Sequence, residues 1–452
     1  EQLPFPSSVA AAHTIAAMHA GNQDDPSRPT RAPKRLLAAA SAAGLWTILR
    51  DLKALPFHVP GSAPLLGGLS LDLSPVLLGG GALMPWRTAA AVAAGALVAN
   101  LWLAPWALAN HWVAGSDYRS LLQLNLWPGA GLMVAAGVVG LLLQWRTGLR
   151  ALTALIQGTQ QAVRHGAFRR AAADPSDPDA PLWWFAAALA ILGPLLVLLM
   201  ATLFGIPWWL GLLSLPVPMV LGAVAARVTG ETDVTPSKAL GPVTQLMYGG
   251  LLPGALTANL MGANVTGGVG LHAADTLGDL KCGWVLGATP KLQLWAQLFG
   301  IGVGALAVVP AFHLLVPSAA ALGTAELPAP AVQVWASLSH MLAGGAGGLP
   351  AERQWAAAAG AAVGAVLAVA EAKLPRRWRP WVPSPTALGI AFLLPGSSAM
   401  AMFAGATLAA LLRRRAADVD DAYRLPVASG LVAGESLTGM ALVLLRAAGL
   451  AV

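Results

Sequence analysis

Residues 74–90 read SPVLLGGGALMPWRTAA, and residues 384–400 read SPTALGIAFLLPGSSAM. The two segments align without a gap at an offset of 310 positions, and seven identities in 17 positions include the Ser-Pro start and the second proline. Chance similarity is the alternative in a chain rich in Ala, Gly and Leu, but composition alone does not supply paired prolines. Because a proline is tolerated at the start of a helix and breaks its interior, we predict an internal repeat of apolar, proline-broken segments.

The composition around these segments places the chain in a membrane. Of the 452 residues, 56% are apolar and only 10% are charged, whereas a soluble domain carries about 25% charged residues. This composition excludes a soluble enzyme, a disordered chain and a fibrous protein. The single cysteine, Cys282, excludes a disulfide framework and any zinc or iron–sulfur site made of several cysteines.

The basic residues of the chain lie between the apolar blocks. A net charge of +7 would suit nucleic-acid binding only if the positive charges shared one exposed face, so we expect a lipid bilayer and no nucleic acid. The observed distribution follows the positive-inside rule of multi-pass proteins in the plasma membrane, or in the inner membrane of a bacterium. The basic stretch 146–181 is predicted to be a polar cytoplasmic insertion between two membrane regions, 1–145 and 182–452.

Apolar segments recur almost from end to end, and crossing the hydrocarbon core takes about 20 helical residues. Candidate spans are 36–50, 88–109, 128–145, 183–204, 206–227, 240–257, 290–316, 354–372, 397–412 and 426–446. Gly or Pro interrupts further apolar pieces, which we predict to be half-helices or re-entrant segments: 3–20, 62–86, 258–286, 331–345 and 384–395. The predicted fold class is an all-α polytopic membrane protein with internal repeats and broken, re-entrant helices.

Several stretches make the chain resemble the oligopeptide transporter (OPT) family, which includes the yellow-stripe-like metal-chelate transporters. They are LPFPSSVAAAHTIAAMH (3–19), NLMGANVTGG (259–268) with ADTLGDLKCGWVLGATPKLQLWAQLFG (274–300), SPTALGIAFLLP (384–395) and GLVAGESLTG (430–439). The resemblance implies a bundle of sixteen helices built by duplication, which takes up small peptides or metal chelates with protons. The chain has too few spans for sixteen helices, so we expect the family's first helices to lie outside it.

One stripe of ionisable residues is predicted on the segment that follows NLMGANVTGG. His272, Asp275 and Asp279 lie at i, i+3 and i+7 and share one face if the segment is helical, while Lys281 points elsewhere. Such a stripe can carry protons, pair with a substrate ammonium group or hold a chelated metal. A water-facing helix between membrane segments is the alternative. Lys281 is a candidate for a peptide carboxylate, or it marks a membrane boundary.

Uncharged polar residues in apolar surroundings are the candidates for substrate binding. Asn259, Asn264 and Thr266 would be costly in lipid without a cavity. Ser7 and Ser8 follow two prolines, a pattern typical of a helix start whose positive dipole end can face a substrate carboxylate. A proline that only sets the entry angle of a helix is the alternative there.

Glu435 is the sharpest candidate for proton coupling. It lies in the otherwise uncharged stretch LPVASGLVAGESLTGMALVLL (425–445), where an ionisable group costs a few kcal/mol and is by default functional or paired. The small residues beside it also suit a glutamate that only bridges packed helices. His13 occupies the corresponding place in 3–18, which shares five of 16 residues with 425–440, although an ordinary packed histidine is the alternative.

Repeated apolar segments broken by Pro and Gly are typical of secondary transporters. With the resemblance, they predict proton-coupled import of short oligopeptides by alternating access. Import of metal chelates is the alternative within the family. An intramembrane enzyme and a non-transporting remnant of a longer protein are two further hypotheses. A GxxxxGK[ST] loop is missing from the sequence, so transport driven by ATP would need a separate subunit. No cofactor and no resident metal are expected, and the oligomeric state is left open.

Overall fold

The computed structural model describes residues 32–52, 73–143, 182–232, 237–324, 327, 329–344, 350–375 and 377–447, together with residues 5, 8, 9, 11, 12, 15 and 16. The helices of the first half are α1 (Ala32–Asp51), α2 (Pro75–Leu83), α3 (Trp86–Leu97), α4 (Ala104–Ala109), α5 (Tyr118–Leu143), α6 (Leu182–Phe204), α7 (Trp208–Leu213) and α8 (Pro216–Thr232). Those of the second half are α9 (Ser237–Leu251), α10 (Leu256–Val285), α11 (Pro290–Leu315), α12 (Pro330–Gly344), α13 (Ala351–Lys373), α14 (Pro385–Ala391), α15 (Gly396–Arg415) and α16 (Ala417–Ala447).

The predicted fold class is confirmed. Within the described ranges there are helices and no strands, and seven helical segments are long and apolar enough to cross a membrane. A π-helical turn, Val98–Leu103, joins α3 to α4 without a break, so Trp86–Ala109 forms one span. The predicted insertion 146–181 lies outside the described residues, and α6 begins directly after it at Leu182.

The prediction of a broken or re-entrant segment at 258–286 is wrong. The structure has one continuous helix there, α10, of 30 residues. Several of its glycines are packing positions rather than helix breakers. An ideal Cβ on Gly262 would lie 2.8 Å from the Tyr248 ring, and one on Gly270 would lie 2.3 Å from Leu240. The predicted span 206–227 is found as the apolar span Trp208–Ala226, with a turn at 214–215 between α7 and α8.

The chain forms two compact units. Unit 1 contains residues 1–20, 137–307 and 335–349, and unit 2 contains residues 21–136, 308–334 and 350–452. Unit 2 thus takes residues from both predicted membrane regions. The predicted division at 146–181 stays a prediction.

Unit 2 contains both copies of the segment quoted first, and their local structures match. Ser74 and Ser384 are N-caps whose hydroxyl oxygens each accept a hydrogen bond of 3.4 Å from the N–H three residues later. A proline at the first helical position follows each serine. The short helices α2 and α14 are each followed by a second proline, with ψ of 136° at Pro85 and 137° at Pro395, at which α3 and α15 begin. The sequence repeat is therefore a structural repeat.

The two copies cross each other through glycines. An ideal Cβ on Gly95 of α3 would lie 2.5 Å from the carbonyl oxygen of Leu388, and one on Gly405 of α15 would lie 2.1 Å from that of Leu78. Both the two glycines and the two leucines are separated by 310 positions. Because only glycine permits so close a backbone approach, the crossing of α3 with α14 and that of α15 with α2 are equivalent.

The repeat extends to the helices before and after these pairs. Helix α16 packs against α1 and α2. There a Cβ on Gly430 would lie 2.5 Å from the Leu36 carbonyl oxygen, and a Cβ on Gly131 of α5 would lie 2.2 Å from that of Ala357 in α13. The first repeat is therefore α1, α2, α3 and α5, and the second is α13, α14, α15 and α16. The last helix of each repeat packs on the first helix of the other.

Unit 1 is built around α10, which packs against α8 and α9. A core of Met200, Ile206, Leu210, Tyr248 and Ala258 joins α6, α7, α9 and α10. Along its whole length α11 buries none of its residues inside the protein. Its length and mean hydropathy are those of a membrane-crossing helix. Its apolar surface therefore suits contact with lipid or with further helices.

Candidate functional site

In unit 2, the Glu435 side chain is buried, with 8% of the residue exposed, and three donors surround its carboxylate. The Arg50 guanidinium donates to Oε1 at 2.7 Å. The Ser74 hydroxyl and the Val76 backbone N–H donate to Oε2 at 2.8 Å and 2.6 Å. The carboxylate therefore caps the start of α2 and is paired with a cation from α1.

This arrangement has a simple electrostatic basis. The first N–H groups of a helix have no partner inside it and carry part of the positive end of the helix dipole, so a carboxylate is stabilised there. The Arg50 side chain is 42% exposed, whereas that of Glu435 is 11% exposed. Arg50 is therefore the more exposed member of the pair. The start of α2 is therefore filled by the protein's own carboxylate.

In unit 1, buried amide and hydroxyl groups link α9, α10 and α12. The Asn259 amide donates to the Gln245 carbonyl oxygen at 2.7 Å, and its own Oδ1 accepts from the Ser339 hydroxyl at 2.9 Å. The Gln245 amide donates to Ser339 Oγ at 2.7 Å and to a carbonyl oxygen of α12 at 2.8 Å. Asn259 is 3% exposed and Gln245 is fully buried. Hydrogen bonds therefore join α9, α10 and α12 in an otherwise apolar interior.

Two buried polar atoms, one on α9 and one on α10, have no hydrogen-bond partner among the described residues. They are Oε1 of Gln245 and Oγ1 of Thr266, which is 1% exposed. An unsatisfied buried donor or acceptor costs about 1–3 kcal/mol, and such groups are rare in native proteins unless water or a ligand meets them. Thr266, predicted from the sequence as a binding residue, thus has a hydroxyl that is free to bond to a solute.

The predicted ionisable stripe lies on α10, and its three members are exposed: His272, Asp275 and Asp279. The Gln297 amide donates to Asp279 Oδ2 at 3.0 Å. The Lys281 ammonium lies 4.7 Å from the centre of the Trp284 ring, in a cation–π contact. Within the described ranges, no group of three or more His, Cys, Asp and Glu side chains is arranged to hold a metal ion.

The other predicted residues are divided between different places. Asn264 is exposed on α10, away from the buried face that holds Asn259 and Thr266. An ideal Cβ on Gly278 would lie 2.9 Å from the Ser8 hydroxyl, so Ser8 lies against α10 beside the ionisable stripe. Ser7 and His13 lie outside the described residues. Glu435 belongs to unit 2 and the α10 residues belong to unit 1.

Sequence reasoning missed the partners of these residues. Gln245 and Ser339 are uncharged residues within apolar helices, and only the helix packing shows that they meet Asn259. Arg50 is the last residue of the predicted span 36–50, and the sequence analysis did not single it out. A signal was available for it, since a buried glutamate in a membrane helix requires a cation or several donors.

The family profile described as OPT oligopeptide transporter protein matches residues 1–446. A Saccharomyces cerevisiae protein provisionally named an oligopeptide transporter is 26% identical over 52% of this chain and 34% of its own length. The iron-phytosiderophore transporter yellow stripe 1 of Zea mays is 26% identical over 58% of this chain and 39% of its own length. A provisionally named metal-nicotianamine transporter of Oryza sativa subsp. japonica is 25% identical over 99% of this chain and 70% of its own length. The matched part is thus well under half of the first two relatives.

Proposed function

The chain belongs to the OPT oligopeptide transporter family, and from that premise we propose that it is a secondary active transporter that imports short oligopeptides together with protons across the cell membrane. Members of this family are transporters rather than enzymes, so the hypothesis of an intramembrane enzyme is set aside. Import of metal chelates is the second candidate, favoured by relatives named as phytosiderophore and metal-nicotianamine transporters.

The observation that carries the proposal is the pair of unsatisfied polar atoms on the packed helices α9 and α10. Gln245 Oε1 accepts hydrogen bonds, and the Thr266 hydroxyl both donates and accepts them. A peptide backbone offers the matching groups, an N–H donor and a carbonyl acceptor. Polar groups inside membrane proteins are costly and are retained where they bind or conduct a solute.

Proton coupling requires a group that changes its protonation during transport. The candidates are Glu435 in unit 2 and the exposed stripe of His272, Asp275 and Asp279 in unit 1. Glu435 is engaged by Arg50 and by two further donors, so its carboxylate is open to a new partner only after Arg50 moves away. We infer that such a movement accompanies alternating access, in which packed repeats rearrange around a fixed site.

Uptake into proteoliposomes tests the proposal, with the full-length protein and an imposed pH gradient. We expect the gradient to drive accumulation of tetra-alanine. Thr266→Val removes the free hydroxyl and keeps the side-chain shape, so we expect uptake to fall about tenfold or more with an unchanged unfolding temperature. Thr244→Val is the matched control, because Thr244 is as deeply buried but its hydroxyl already donates to Leu240 at 2.7 Å. Uptake that is independent of the gradient, or a Thr266→Val protein that transports like wild type, would overturn the proposal.

Competition separates the two candidate substrates. An excess of iron-nicotianamine is expected to leave tetra-alanine uptake unchanged if the protein is a peptide specialist. Suppression of peptide uptake, together with gradient-driven accumulation of the chelate, would favour the metal-chelate function.

A further inference from the structure

A cavity of about 160 Å³ lies in unit 2 at the start of α15, and it belongs to neither polar cluster described above. Its polar lining consists of Asn100, Tyr118, Asn125, Gly396 and Ser397, together with Ser116. Apolar residues of α5 and of the α14–α15 connection complete the wall. The cavity holds the volume of about five water molecules, which is the size of one amino-acid unit rather than of a whole peptide.

The α15 end of this cavity presents unpaired backbone N–H groups. Pro395 is the N-cap, and its side chain has no donor or acceptor with which to cap the helix. The first N–H that bonds back to the Pro395 carbonyl oxygen is that of Ala399, at 3.1 Å. Among the described residues, the N–H groups of Gly396, Ser397 and Ser398 therefore have no hydrogen-bond partner, and they form the positive end of a helix of 20 residues.

A second polar group points to a ligand independently of the helix end. Asn125 on α5 is 7% exposed and lines the cavity. Its amide makes no hydrogen bond to any described residue, so its amide donors and its acceptor are open to an occupant. Asn100, in the π-helical turn, donates to the Ala96 carbonyl oxygen at 2.8 Å. Asn100 also lines the cavity, and its amide oxygen can accept a hydrogen bond there. Such π-helical turns are frequent at functional sites.

The chemistry of this lining selects an anion with several acceptor positions. Backbone N–H groups at a helix start and a side-chain amide are the donors with which proteins hold carboxylates. We propose that the cavity is a carboxylate subsite, which holds the terminal carboxylate of an amino-acid-derived solute; this assignment rests on the proposed transport of such solutes. The α2 start shows the same chemistry within this fold, because it holds the Glu435 carboxylate.

The repeat explains why only one such subsite is expected. At an offset of 310 positions, Gly396 and Ser397 correspond to Trp86 and Arg87 at the start of α3. The Arg87 guanidinium donates to the Val382 carbonyl oxygen at 2.6 Å and to Glu371 at 2.8 Å. Large side chains, one of them hydrogen-bonded within the protein, thus occupy the positions that hold small residues at the start of α15.

Thiol protection tests the subsite without relying on transport. In the full-length protein with Cys282→Ser, Ser397→Cys places a thiol in the cavity, where the helix start makes it reactive. We expect tetra-alanine to slow its alkylation by a methanethiosulfonate reagent several-fold, and the C-terminal amide of tetra-alanine, which lacks the carboxylate, to have little effect. Asn110→Cys in the same background is the control, because Asn110 is exposed and lies outside the cavity. Its alkylation rate is expected to be the same with and without peptide.

A binding measurement completes the test. Asn125→Leu keeps a similar volume and removes the amide, so we expect the Kd for tetra-alanine to rise about tenfold and the Kd for the amide to change little. Equal protection of Ser397→Cys by both peptides, no protection by either, or an unchanged Kd in Asn125→Leu would overturn the subsite. Protection without gradient-driven uptake would support the subsite and refute the proposed transport. Peptide uptake without protection would support the proposed transport and refute the subsite.

Discussion

Replacing Glu435 by glutamine tests whether its carboxylate holds α1, α2 and α16 together. The substitution keeps the side-chain shape but turns one oxygen into an NH₂ group. One oxygen can still accept from Ser74 and Val76, whereas the new NH₂ group faces the Arg50 guanidinium, donor against donor. Breaking a buried ion pair costs about 3–5 kcal/mol. Because the Arg50 side chain is 42% exposed, water compensates part of this cost, and we expect a loss of ~2–3 kcal/mol.

Thermal unfolding of the purified protein, followed by tryptophan fluorescence, measures this loss. We expect the apparent Tm of Glu435→Gln to fall by roughly 5 °C. Glu371→Gln is the matched control: its partner Arg87 lies at 2.8 Å, but the two side chains are 34% and 44% exposed, so a change below about 1 kcal/mol is expected. Equal changes in the two variants would refute the reasoning. Loss of gradient-driven uptake in a Glu435→Gln protein as stable as wild type would make Glu435 a proton carrier rather than an anchor.

Two further predictions concern packing and pH. Gly405→Ala should lower the free energy of unfolding by ~1–3 kcal/mol, because its Cβ would lie 2.1 Å from a backbone oxygen of α2. Gly80→Ala is the control and should be neutral or stabilising, because nothing lies within 4 Å of its Cβ. Similar unfolding temperatures of the two variants would contradict this prediction. Tyr118, just before the span Ser120–Gly140, donates to the Leu393 carbonyl oxygen at 2.7 Å, and burial raises its pKa to about 12 from 10.0. The unfolded chain loses this proton near pH 10 and the folded protein near pH 12, so the stabilisation is complete below pH 10 and is lost as the pH rises through 12. The Tm should therefore fall more between pH 9 and pH 11 in wild type than in Tyr118→Phe, and equal falls would refute this contribution.

The fold was predictable where the sequence carries local signals. The Ser-Pro pair at 74–75 fixes a helix start because proline suits the first turn and serine accepts from a free N–H, and the same pair at 384–385 fixes another. Glycine is ambiguous by comparison. In 258–286 the glycines predict a break in the helix. In the structure the helix is continuous, and Gly262 and Gly270 leave room for large side chains of α9 to pack against it. The sequence of one helix does not show which neighbour its glycines will meet.

The candidate site was predictable only in part, for a related reason. Glu435 stands out as one charge in an apolar stretch, so it could be found from the sequence. Its partners could not, because Arg50 lies 385 positions away and Ser74 lies 361 positions away along the chain. Gln245 carries no charge, and its position beside Asn259 follows only from the packing of α9 on α10.

The two repeats share a backbone arrangement and differ in the polar groups placed on it. Gly430 and Gly131 meet equivalent backbone atoms, so the position of Glu435 in α16 corresponds to Ala136 in α5. The second repeat therefore supplies a carboxylate to the start of α2 in the first repeat, whereas the first repeat has alanine at the equivalent position and no carboxylate to offer to α14. A helix end that already holds an internal anion has little remaining attraction for a second one, because the two negative charges repel. Of the long helices that begin at the paired prolines, only α15 combines small residues, free N–H groups and an adjoining unpaired amide, Asn125, among the residues that the structure describes. The two repeats therefore have similar backbones but different side chains at their helix starts. Charged side chains of the protein occupy the helix starts of the first repeat, whereas the start of α15 in the second repeat is open to a solute.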